Sequence, residues 1–200
     1  KNKYLFKDNK LNIIQQMSGL VNIPLKTKIN DASINSKEIK RNDIFFAIKG
    51  RKKNGNLFVK EALNKGASLA ITDELQKKPY QIKVQDTLKF LTEASLLLRE
   101  NTHSSIIAIT GSCGKTSLKE LVGKSLKKIS NVTYSRKSFN NKFGVPLSLF
   151  NLKQNDEFGI FEIGMDKKGE IEYLSKIIKP EVGVITNISY AHAKNFKNIK

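Results

Sequence analysis

The chain has 200 residues, 39% apolar and 27% charged, with 36 lysines and arginines against 18 acids and a formal net charge of +18. That apolar share can bury a core, which excludes a mostly disordered chain, and the length admits one large domain or two small ones. No run approaches the roughly 18 apolar residues of a membrane span, and the basic start Lys1–Lys10 lacks the apolar stretch that a signal peptide needs after it.

A single cysteine, Cys113, excludes an intrachain disulfide and fits a reducing cytoplasm. The positive charge comes from 32 lysines and only 4 arginines, scattered along the chain beside 19 Asn and 22 Ile, a mixture that points to an AT-rich coding bias. Proteins that read bases favour the planar arginine fork. A solvated lysine surface is therefore the better reading, and no nucleic-acid partner is expected.

The pattern predicts two α/β segments joined near residues 79–105. Asp43–Lys49 holds the apolar run Ile44, Phe45, Phe46, Ala47 and Ile48, which suits a buried strand. Residues 56–66 follow as a helix with Phe58, Ala62 and Leu63 at helical spacing and Gly66 as its stop, and Ala67–Thr72 is a further strand. Residues 86–100 place Leu88, Leu91, Ala94 and Leu98 on one helical face. In the second segment, the strand Ser105–Thr110 meets a glycine turn. The helix after it carries Leu118, Leu121, Val122, Ser125, Leu126 and Ile129 on one stripe. Asn131–Tyr134 and Phe158–Ile163 read as strands, Glu170–Ile178 as a helix stopped by Pro180, and Glu181–Ile188 as a strand. This repeated βαβ alternation predicts an α/β fold with a parallel sheet.

Thr110-Gly111-Ser112-Cys113-Gly114-Lys115-Thr116-Ser117 lies between predicted strand and predicted helix, the setting a phosphate loop requires. Glycines let successive N–H groups turn inward, and the helix start adds unpaired donors and a positive dipole end. Lys115 can reach β- and γ-phosphates, and the Thr116 hydroxyl is placed to ligate Mg²⁺. The loop is a shortened form, because Ile109 stands five residues before Gly114 where the general pattern has glycine. Cys113 is read as a small loop residue beside the nucleotide, ahead of a reactive thiol. Glu162, at the end of an apolar strand, is either a surface acid or a hard oxygen ligand for Mg²⁺. Burial of an unpaired carboxylate is costly, which favours the ligand. Asn140 and Asn141 are either a turn pair or amides that contact substrate or phosphate, and His103 is expected to be exposed.

Four further segments extend the pattern: Asn35-Ser36-Lys37 with Asp43-Ile44-Phe45-Phe46-Ala47-Ile48-Lys49-Gly50; Phe139-Asn140-Asn141-Lys142-Phe143-Gly144-Val145-Pro146-Leu147; Phe161-Glu162-Ile163-Gly164-Met165 with Gly169-Glu170-Ile171; and Ile185-Thr186-Asn187-Ile188 with Ala191-His192. Together with the shortened loop, they resemble the Mur ligases, ATP-dependent amide-forming enzymes of peptidoglycan synthesis. Within that family they are most similar to the branch that adds D-alanyl-D-alanine. The diamino-acid-adding branch would be expected to show Thr-Thr-Pro at Asn140-Asn141.

The resemblance implies an N-terminal uridine-nucleotide domain over residues 1–80, a linker helix region over 81–104, and an incomplete central ATP-binding domain over 105–200, with the C-terminal ligase domain absent. It implies ATP and Mg²⁺ as cofactors, and UDP-N-acetylmuramoyl-tripeptide and D-alanyl-D-alanine as partners of a cytoplasmic monomer. Lys115, Glu162 and His192 are the implied catalytic residues, with Thr116, Glu162 and His192 on metal. Asn187 joins the nucleotide-binding loop, and Ser36, Lys37, Lys49, Gly50, Asn140 and Asn141 are the implied substrate contacts. Asn35 and Lys37 stand where the family has Asp and Arg, and Cys113 where it usually has Asn. This stretch alone is expected not to form the amide. A diamino-acid-adding Mur ligase, a phosphate-loop NTPase or kinase, or a basic nucleic-acid-binding module is the alternative.

Overall fold

Alternation of buried strands with short helices builds two separate parallel sheets. A computed structural model describes residues 9–19, 28–50, 53–77 and 79–189, and the chain divides into two units between Leu98 and Arg99.

The first unit contains α1 (Asn9–Ser18), β1 (Ala32–Ser33), β2 (Ile44–Phe46), α2 (Val59–Asn64), β3 (Leu69–Thr72) and β4 (Gln81–Lys83), and most of α3 (Thr87–Glu100). Its sheet runs β1-β2-β3-β4, every pair parallel, with Ile44 opposite Leu69 and Phe45 opposite Ala70. Every residue of β2 and β3 is buried, the signature of a parallel sheet covered on both faces. Phe45, Ala47 and Ala70 pack there with Val59 and Ala62 of α2.

The sequence overestimates β2. The chain folds back after Phe46, where Ile48 N–H donates to the Phe46 carbonyl and Gly50 N–H to the Lys53 carbonyl. Gly55 makes this return possible, since a Cβ there would stand 2.6 Å from the backbone of Ala47 and Ile48. The predicted helix over 56–66 begins as a tighter 3-10 turn, Gly55–Phe58, capped by the Asn54 side chain at Asn56 N–H. It stops at Gly66, whose φ of +103° suits glycine. β4 falls inside the stretch assigned to the linker, and it forms one edge of the first sheet.

The second unit contains β5 (Ser105–Thr110), α4 (Lys115–Leu126), β6 (Val132–Tyr134), α5 (Gly144–Phe150), β7 (Phe158–Glu162), α6 (Glu170–Ile178) and β8 (Val182–Ile185). Its parallel sheet runs β6-β7-β5-β8, so β5 is central, with Ile109 opposite Glu162 and Thr110 opposite Ile185. Leu118, Val122 and Leu126 pack on a core of Ile109, Val132 and Ile160. The predicted stripe is corrected at its margins: Leu121 is 64% exposed, Ser125 is exposed, and Ile129 lies beyond the helix end. The fully buried positions of α4 are instead Lys119 and Gly123. At Gly123 a Cβ would stand 2.7 Å from the Tyr134 ring, so its absence lets α4 settle on β6.

α5 was not anticipated, because it is buried on every side and carries no amphipathic period. At the base of β5, the Arg99 guanidinium donates to the carbonyls of Ile178 and Lys179 and meets the Glu181 carboxylate at 2.6 Å. That clamp fastens the turn between α6 and β8.

Candidate nucleotide site

The carboxyl ends of β5, β7 and β8 meet at one edge of the second sheet, the edge at which parallel α/β sheets place ligands. The chain leaves β5 at Thr110, turns through Gly111 and Gly114, both at positive φ, and enters α4 at Lys115. The first-turn N–H groups of α4 have no carbonyl partners within the helix, which makes this an anion-binding end. Thr116 is exposed, and Lys115 is half-buried with its Nζ donating to the Gly111 carbonyl at 2.6 Å. That bond folds the lysine back over the loop it serves.

β7 supplies the acid. Glu162 is the last residue of the strand and only 1% exposed. Its Oε2 accepts from the Thr116 hydroxyl at 2.7 Å, and its Oε1 accepts from Asn140 Nδ2 at 2.7 Å. Both donors are neutral, so a carboxylate at this depth has a strong preference for a nearby cation. A buried carboxylate beside an accessible hydroxyl is a hard-oxygen pair that fits Mg²⁺, an ion usually held by one or two protein ligands together with phosphate and water. No group of three or more His, Cys, Asp or Glu side chains gathers to hold a metal among the described residues.

β8 supplies a brace. The Asn187 carbonyl accepts from Ser112 N–H and its Oδ1 from Cys113 N–H, each at 3.0 Å, while its Nδ2 donates to Cys113 Sγ. The Thr186 hydroxyl donates to the Cys113 carbonyl at 2.6 Å. Asn187 is thus a strut of the loop. Gly111 has to be glycine, for a Cβ would fall 2.1 Å from Thr186 Oγ1.

The structure brings together the loop Thr110–Ser117, Glu162, Asn140 and Asn187. The Asn pair separates in role, because Asn141 Oδ1 caps α5 by accepting from Phe143 and Gly144 N–H. Glu170 of the Gly-Glu-Ile segment accepts from the N–H groups of Asp166 and Lys167, which hold its carboxyl below the usual glutamate range. His192 lies outside the described residues. Two contributors escaped the sequence reading. Gly164 must lack a Cβ because one would stand 2.7 Å from the Asn140 amide carbon, and Thr186 holds the loop through the Cys113 carbonyl.

The remaining candidates lie on the first unit, after the carboxyl ends of β1 and β2. Ser36 is buried and donates to Glu61 at 3.0 Å, and Lys37 is exposed. Lys49 is exposed but ion-paired with Glu74 at 2.7 Å and Asp73 at 3.2 Å, bonds that raise its pKa. It is therefore no lone cation awaiting an anionic substrate.

A central strand feeding a glycine loop and helix, flanked by an acid-bearing strand, defines a phosphate-loop domain. Residues 109–200 match the Mur ligase middle domain, and residues 28–98 match the Mur ligase family, catalytic domain. The chain belongs to the Mur ligase family. It is 39% identical over 173 residues to the UDP-N-acetylmuramoyl-tripeptide--D-alanyl-D-alanine ligase of Buchnera aphidicola subsp. Acyrthosiphon pisum, covering 86% of this chain and 38% of that relative. The enzyme of that name from Bacillus subtilis is 30% identical over 190 residues, covering 92% and 42% respectively. Among solved structures, MurF from Acinetobacter baumannii superposes with a TM-score of 0.78 at 32% identity, over 94% of this chain and 42% of that one. MurF ligase from Thermotoga maritima in complex with ADP gives 0.67 at 30% identity, over 86% and 40%. The chain thus spans about two fifths of the length of these relatives.

Proposed function

We propose that this chain is the nucleotide-binding part of an ATP-dependent ligase that joins D-alanyl-D-alanine to UDP-N-acetylmuramoyl-tripeptide in the cytoplasm. The observation that carries this reading is the convergence of Lys115, Thr116, Glu162 and Asn140 at one sheet edge, in a chain 30–39% identical to ligases of that name.

In this reading the terminal carboxylate of the tripeptide attacks the γ-phosphorus of ATP. ADP leaves, and an acyl phosphate forms. The D-alanyl-D-alanine amine then attacks the acyl carbon, loses a proton, and expels phosphate as the amide forms. Two anions must approach each other, so positive charge at the phosphates lowers the barrier. Lys115 supplies it by exchanging the Gly111 carbonyl for phosphate oxygen. Thr116 and Glu162 would hold Mg²⁺, which would supply further charge neutralisation. Asn140 keeps the Glu162 carboxylate oriented. The first unit would bind the uridine nucleotide, with Ser36 and Lys37 as its contacts, and His192 would serve as a further metal ligand.

The test is calorimetric titration of the 200-residue chain with ADP, with and without Mg²⁺. Mg²⁺-enhanced binding is expected, together with a loss of about 100-fold in Lys115→Ala. In the full-length protein, phosphate release should require both the UDP-linked tripeptide and D-alanyl-D-alanine. Release that ignores the dipeptide would replace the ligase with a simple NTPase.

A further inference from the structure

Lys119 is a charged residue with no solvent exposure, on the helix that starts with Lys115 and Thr116. Lysine is almost never fully buried without a specific partner. Here the partners are the Lys137 carbonyl at 2.5 Å from Nζ and the adjacent Glu120 carboxylate at 3.2 Å. Lys137 lies in the loop after β6, at a φ of +50° that a lysine seldom adopts.

Three residues further along that loop stands Asn140, which donates to Glu162 and whose own carbonyl accepts from Gly164 N–H at 2.7 Å. Helix docking does not explain the buried charge, because Gly123 already lets α4 approach Tyr134 one turn later. What Lys119 adds is a bond from the phosphate-loop helix to the loop bearing Asn140.

We propose that Lys119 is a positioning residue. Its Nζ pins the 136–140 loop at the Lys137 carbonyl and thereby sets the Asn140 amide on Glu162, so the carboxylate shared with Thr116 is held in one orientation. The link to nucleotide binding rests on the function proposed above, but the hydrogen-bond arrangement is testable without any ligand.

The experiment compares ¹H–¹⁵N spectra of the ligand-free 200-residue chain, unsubstituted and Lys119→Met. Methionine keeps an unbranched stem and removes the donor. The Asn140 side-chain amide is assigned by its loss in Asn140→Asp. In Lys119→Met its protons should move to solvent-exposed positions and exchange at least about tenfold faster, while the backbone amides of β5 remain protected. If Lys119→Met does not fold, Lys119→Arg decides, since it retains a donor and should keep the Asn140 signal in place. An unchanged Asn140 amide in folded Lys119→Met, or its loss in folded Lys119→Arg, overturns the proposal. The second readout is ADP affinity with and without Mg²⁺. Lys119→Met should lose at least about threefold of the Mg²⁺ enhancement while metal-free affinity holds, as a positioning role requires and a general packing defect does not. If the unsubstituted chain binds no ADP, the nucleotide reading fails, and the amide signature still judges Lys119.

Discussion

The Thr116 hydroxyl donates a hydrogen bond to Oε2 of Glu162 at 2.7 Å, linking the first turn of α4 to the last residue of β7. A hydroxyl whose proton is committed to a carboxylate presents only lone pairs to anything else that approaches, which is the state a metal ion requires of it. Thr116→Val should therefore leave metal-free ADP binding within about threefold and reduce its Mg²⁺ enhancement by roughly 10-fold, while Thr116→Ser keeps most of it. Titrations at fixed ADP and varied Mg²⁺ measure both.

Glu162→Gln keeps the shape, and its carbonyl oxygen can take the Asn140 amide while its NH₂ group donates to the Thr116 oxygen, so no donor is left facing a donor. The two charge-assisted bonds become neutral ones, a loss of about 1–2 kcal/mol. Urea unfolding followed by circular dichroism should show a loss in that range. No loss would mean that the buried carboxylate has no structural role.

Gly164→Ala would put a methyl group 2.7 Å from the Asn140 amide carbon. Either Asn140 leaves Glu162 or the β7 end shifts, at about 1–3 kcal/mol. The expected signature is weakened Mg²⁺-dependent ADP binding with a folded circular dichroism spectrum. Gly111→Ala is more severe, for it combines a φ of +132° with a 2.1 Å approach to Thr186 Oγ1. Thr186→Ala should partly restore Gly111→Ala, since it removes the atom struck but leaves the backbone strain.

Acid should weaken the second unit. At Glu181 burial pushes the carboxyl up, but the Ile106 N–H and the Arg99 guanidinium outweigh it, and the folded pKa is lowered. Glu170 is lowered by its two backbone donors. A folded pKa below the unfolded value, about 4.3 for glutamate, stabilises the fold above that value and is lost as pH falls through the folded one. Urea midpoints should fall below about pH 4.3, and Glu181→Gln should flatten that fall. A steeper decline in Glu181→Gln would contradict the assignment.

The second sheet was largely legible because β5 and β7 are apolar runs, the first followed by Gly111 and the second ended by Glu162. β5 and α6 occupy the residues the pattern assigned to them. What stayed hidden depends on distant partners. Lys119 looks like a solvated lysine until the loop after β6 covers it, and Gly164 looks like an ordinary loop residue until Asn140 is laid against it. Lys49, implied as a substrate contact, pairs with Asp73 and Glu74, which reach it only through β-sheet pairing. α5 is too short and too uniformly apolar to announce a period.

The strand order β7-β5-β8 gives the phosphate loop two unlike banks. On one side an acid addresses Thr116, and on the other Thr186 and Asn187 grip the backbone through Ser112 and Cys113. Under the function proposed, cation recruitment and loop shape fall to separate strands. Substitutions on the β8 bank would then alter the fit around the phosphates while the charge at the β7 bank stays fixed, so nucleotide preference and metal preference would drift independently within one short loop.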